Sequence, residues 1–146
     1  MGKESHMPNP SKALDHLYMP LRLCFGLVPV VAGADKFTNL LTDWTKYLPG
    51  YMTEMLPISA RGFMMVVGVI EIVAGLAVLT ALPRLGAWVV AAWLVLIAGA
   101  VASAGFYDIA VRDLVMALGA YTLAGLAAIR GERLIPFGDP ALASAR

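Results

Sequence analysis

The stretch 62-GFMMVVGVIEIVAGLAVLTAL-82 decides how this chain is read: it is an apolar run with a single acid, Glu71, near its middle. A helix needs roughly 20 mostly apolar residues to cross a bilayer, and this run is long enough. A carboxylate at mid-depth costs at least about 2.5 kcal/mol, so it normally faces the bundle interior and has a partner or a task.

Three more runs lie on either side. Pro20 to Phe37 carries Arg22 and Lys36 near its ends and is interrupted by Pro29; Leu85 to Ala104 is closed by Gly105, and Ile109 to Ile129 by Arg130 and Gly131. Hydrophobic residues make up 60% of the chain and charged ones 14%, whereas soluble domains carry about 25% charge. The expected fold is therefore all-α, an integral membrane four-helix bundle with spans over 20–37, 62–82, 85–104 and 109–129. A polar tail is expected over 1–18 and a second over 132–146. The Pro83-Arg84 loop is so short that the second and third spans should form an antiparallel hairpin.

The segment Thr38 to Ala60 is too long for a simple connection. Leu40, Leu41, Trp44, Tyr47, Leu48, Tyr51, Met52 and Met55 recur at helical steps, broken by Pro49-Gly50. One or two short amphipathic helices over one mouth of the bundle are expected, with Trp44, Tyr47 and Tyr51 contacting headgroups, a ligand or a partner protein. Gly26 with Gly33 and Gly68 with Gly75 share a seven-residue step, as close helix approach in lipid requires.

Basic residues favour both termini in the cytoplasm: Lys3, Lys12, Arg84, Arg130, Arg133 and Arg146 lie on the terminal side, against Lys36, Lys46, Arg61 and Arg112 on the other. The charges also outline a candidate site. Asp35, Lys36, Arg112 and Asp113 fall at one level and could form a cross-helix ion network. Glu71 lies deeper, with two readings open. It is neutral or paired with Arg22 or Lys36, pinning two helices together, or it exchanges a proton with a bound ligand such as a quinone, Arg22 being its charge partner.

Several chemistries have no residues to carry them. His6 and His16 both lie in the tail, so no bis-histidine haem fits inside the bundle. No cluster has metal-ligand spacing, and Cys24 stands alone, without a C-x-x-C partner. Ser59 and Ser103 have no neighbouring histidine, and no basic stripe points to nucleic acid.

The stretches R-L-C-F-G-L-V-P-V-V-A-G-A-D-K-F (Arg22 to Phe37), G-V-I-E-I-V-A-G-L (Gly68 to Leu76), Pro83-Arg84 and R-D-L (Arg112 to Leu114) together resemble the DoxX family of small four-helix bacterial membrane proteins. The resemblance implies a multi-pass inner-membrane protein linked to electron transfer, and the related DoxD type looks like the membrane subunit of a thiosulfate:quinone oxidoreductase. It assigns no catalytic residue. The expectation is a non-catalytic subunit of a larger, quinone-linked redox complex, acting as anchor or as quinone- or lipid-binding subunit, with no cofactor held by its own ligands. A structural or assembly subunit that binds no substrate is the rival reading, and a small proton-coupled transporter the third.

Overall fold

The computed structural model describes residues 10–55 and 57–135, and what the sequence suggests for the tails before and after these bounds lies outside the described residues. The order is α1 (Pro10–Thr38), a 3-10 turn (Trp44–Tyr47), α2 (Gly50–Met55), α3 (Ala60–Leu79), α4 (Pro83–Ser103) and α5 (Tyr107–Ile129). Among the described residues there is no strand. Four helices, α1, α3, α4 and α5, are long and apolar enough to cross a membrane, so the all-α four-span reading holds.

The first helix departs from its expected bounds. It begins at Pro10 rather than Pro20, within the presumed polar tail, and runs unbroken through both Pro20 and Pro29. Proline is well accepted in a helix's first turn, and neighbouring helices make interior prolines tolerable in a membrane span. The 29 residues of α1 extend about 44 Å, well beyond a hydrocarbon core of about 30 Å. Its terminal end therefore projects past the other spans' apolar layer, and Asn39, in the left-handed region at φ 53°, stops it at the opposite end.

Glycines end the last two spans. Gly105 (φ 89°) donates to the Ala102 carbonyl while Phe106 N–H donates to Val101, and Gly131 (φ 78°) repeats the pattern with Ala128 while Glu132 reaches Ala127. These paired bonds satisfy carbonyls that a helix end leaves open, and they need a residue that enters positive φ cheaply.

Helix α1 packs on α3, α4 on α5, and the α3–α4 hairpin joins the two pairs, with α5 reaching back to α1. The α1–α3 contact is backbone against backbone. A Cβ on Gly33 would lie 2.5 Å from the Gly68 carbonyl oxygen, one on Gly68 2.6 Å from that of Gly33, and one on Gly75 2.5 Å from that of Gly26. Because Gly26 meets Gly75 and Gly33 meets Gly68, the helices are antiparallel in one fixed register.

Polarity is distributed as lipid demands. Asp35, Lys36, Glu71 and Asp113 are 5%, 4%, 7% and 7% exposed, while Val66, Val73, Leu96, Val115 and Leu118 lie at the surface. Buried charge with exposed large aliphatics inverts the soluble pattern and fits helices solvated by acyl chains.

Candidate functional site

The antiparallel register brings the last turn of α1 beside the middle of α3. In that register Lys36 packs its stem near Gly68, and its head extends inward to meet Glu71. Lys36 Nζ donates to Glu71 Oε2 at 2.5 Å, with both side chains buried. Two opposite charges removed from water together avoid much of the cost that either would incur alone.

A lid from the loop closes over the pair. The Trp44 ring lies on the lysine, with Nζ 3.7 Å from its centroid, close enough for a cation–π contact. Trp44 Nε1 donates to Asp35 Oδ2 at 2.8 Å, and Asp35 Oδ1 also accepts from Leu40 N at 2.8 Å and Leu41 N at 3.1 Å. One buried carboxylate thus folds the chain back over the helix it has just left. Asp43 caps the 3-10 turn, and the Thr45 hydroxyl and amide hold its carboxyl below the usual aspartate range. Tyr47 stacks edge-on against Trp44 at 6.3 Å and Phe106 at 5.1 Å, joining the lid to the α4–α5 turn.

Two further groups approach the pair from the other side of the bundle. Trp93 of α4 lies beside Glu71, with its buried indole Nε1 in bonding geometry to no acceptor. Asp113 of α5 is buried within electrostatic reach of Glu71. Around the pair the interior therefore gathers Lys36, Glu71, Asp113 and the Trp93 N–H, which lies near Glu71 but outside good hydrogen-bond geometry, so that all four spans contribute. Among the described residues, no three His, Cys, Asp or Glu side chains gather as metal ligands would.

This arrangement changes the charge assignments expected from sequence. Asp35, Lys36, Arg112 and Asp113 do not form one ion network: Lys36 turns inward to Glu71, Asp35 binds loop donors, and Arg112 lies exposed beside Asp108 at 3.4 Å. Asp113 remains inside. Arg22 is not the partner of Glu71 either. It donates to the carbonyls of Val78, Leu79 and Thr80 at 2.9, 2.9 and 2.8 Å, neutralising the negative end of α3. The reason is depth, since Leu79 lies eight residues from Glu71, or about 12 Å along the helix. In the loop, Trp44 and Tyr47 face the bundle, whereas Tyr51 is exposed with its hydroxyl 3.4 Å from Ser103 Oγ.

A second polar cluster, absent from the sequence reading, lies at the terminal end. Tyr18 is fully buried and its hydroxyl donates to Glu132, 2.7 and 2.8 Å from the two carboxylate oxygens. Arg130 stacks over the Tyr18 ring at 4.5 Å and pairs with Asp15 and Glu132. The one available signal was the spacing of Tyr18 four residues before Arg22, which puts both on one face of α1. The first and last spans are thereby joined.

No curated protein and no solved structure matches the chain. A family model described as DoxX matches residues 17–104, the stretch from Leu17 in α1 to Ala104 at the end of α4, and leaves α5 outside. With more than half of the 146 residues matched, the chain belongs to the DoxX family.

Proposed function

We propose that this protein is a membrane subunit of a larger, quinone-linked redox complex, with the Lys36–Glu71 pair as its ligand-facing group. The observation that carries this reading is the buried pair at 2.5 Å beneath the Trp44 ring, with the buried Trp93 N–H beside it making no well-formed hydrogen bond. Quinone reduction to quinol takes two electrons and two protons. Here the electrons come from a redox partner chain, Glu71 relays protons, and Lys36 and Trp93 supply N–H donors for a quinone oxygen. Swinging Trp44 off Lys36 opens the way in, and Arg22 keeps a structural task at the far end of α3. The site of action is the bacterial inner membrane.

The test is Glu71→Gln, which keeps the shape and removes the proton. Losing the partner of Lys36 lowers the yield of complex in mild detergent, but in the complex that does co-purify, quinone-linked turnover per complex should fall by tenfold or more, since general acid–base groups contribute 10²–10⁴-fold. Unchanged turnover per complex would overturn the reading.

A second reading has its own observation. Both clefts described on the surface lie at the terminal end, lined by Arg22, Thr80 and Glu132 in one case and by Arg84, Trp88 and Tyr121 in the other, away from Glu71. If the pair only pins α1 to α3, the protein is an assembly subunit that binds no substrate. Glu71→Gln would then loosen the complex without altering turnover per complex.

A further inference from the structure

The groove between α4 and α5 at the terminal end is unrelated to the ion pair and has a chemistry of its own. It is an open groove of about 340 Å³ lined by Arg84, Trp88, Tyr121, Gly125 and Ile129, among others. Arg84 sits at its mouth. Among the described residues Arg84 has no ion pair, and its Nε is buried without a hydrogen-bond acceptor. Helix α4 starts on Pro83, which has no N–H to satisfy, and Leu82 before it provides no side-chain cap.

Below Arg84 the groove is apolar and open. Trp88 and Tyr121 pack edge-on at 5.3 Å across the two helices, and a Cβ at Gly125 would meet nothing within 4 Å. From Ile129 back to Tyr121 the wall runs eight residues, about 12 Å into the apolar layer. A cation that needs an anion at the membrane surface, above a slot that admits a hydrocarbon chain, matches one ligand class.

We propose that this groove binds an anionic phospholipid of the adjacent leaflet, its phosphate on Arg84 and one acyl chain lying over Gly125 against Trp88 and Tyr121. Basic pockets between spans select anionic headgroups by this same complementarity. A neutral quinone would leave Arg84 without its counter-charge. A second copy of this chain would have to supply an acid at Arg84.

The test uses the full chain in mild detergent, titrated with dioleoyl phosphatidylglycerol or dioleoyl phosphatidylcholine and read by native mass spectrometry. The wild type should bind the anionic lipid at least about fivefold more tightly, the factor one basic residue supplies at a membrane surface. Arg84→Gln should abolish that preference. Gly125→Leu, which fills the slot without touching the bundle, should weaken both lipids while melting stays unchanged. Arg112→Gln, at the opposite end, should change nothing. Equal binding of the two lipids by the wild type, unchanged phosphatidylglycerol binding in Gly125→Leu, or a dimer that must dissociate before lipid enters would each overturn the proposal. Should Arg84→Gln fail to fold, Gly125→Leu decides alone.

Discussion

Lys36 and Glu71 are safe in the bundle only as long as each has the other. Breaking a buried pair by removing one partner typically costs 3–5 kcal/mol, whereas replacing both with well-packed apolar groups is often nearly neutral. Lys36→Met should therefore lower stability by about 3 kcal/mol in a reversible denaturation in mixed micelles, and Lys36→Met with Glu71→Met should recover most of that loss. Simple addition of the two single costs in that cycle would show that the pair is not coupled. At the other end, Tyr18→Phe removes only the hydroxyl that Glu132 accepts, a bond to a charged group worth about 1.5–3 kcal/mol. Glu71 was legible in the sequence because a lone acid stands out in an apolar run. Its partner was not, because Arg22 and Lys36 are fourteen residues apart, close to four helical turns, and so share a face of α1. Only the register of α1 on α3 assigns one to the acid and the other to the carbonyls of α3.

At the scale of helices, the glycines set that register. Gly33, Gly68 and Gly75 each place backbone against backbone, while Gly99 and Gly125 face open space. Gly33→Val or Gly68→Val should cost about 1–3 kcal/mol through overpacking and weaken the Lys36–Glu71 contact as α1 shifts. Gly99→Ala should be neutral or slightly stabilising, because it only narrows the unfolded chain's options. Similar melting for all these variants would mean that the tight α1–α3 approach contributes nothing. The seven-residue steps make the close approach readable in the sequence. The continuity of α1 was not readable, since Pro20 and Pro29 break helices in water, where freed carbonyls find solvent, more readily than in lipid. The Tyr18–Arg22 spacing hinted at a helix through Pro20, but the partner that buries Tyr18, Glu132, lies 114 residues away and left no local sign.

At the scale of the molecule, the two ends differ in charge. The terminal end holds Lys12, Arg22, Arg84, Arg130 and Arg133 against Asp15 and Glu132, and the other end holds Lys36, Lys46, Arg61 and Arg112 against Asp35, Asp43, Glu54 and Asp108. By the positive-inside rule this asymmetry leads us to propose that both termini face the cytoplasm. In a Cys24→Ala background, Thr53→Cys should react with a membrane-impermeant maleimide on intact spheroplasts, and Arg133→Cys only after lysis. The reverse pattern would invert the topology.

The clasp of Tyr18 on Glu132 has a consequence for how the protein is made. The first helix leaves the ribosome long before the acid that completes it, so its lower flank must wait, unmated, through the synthesis of three more spans. A nascent chain halted with Glu132 still in the exit tunnel should leave the Tyr18 end of α1 open to protease, while the glycine contacts with α3 already hold the rest of the span. Release of only a few more residues should render that end resistant.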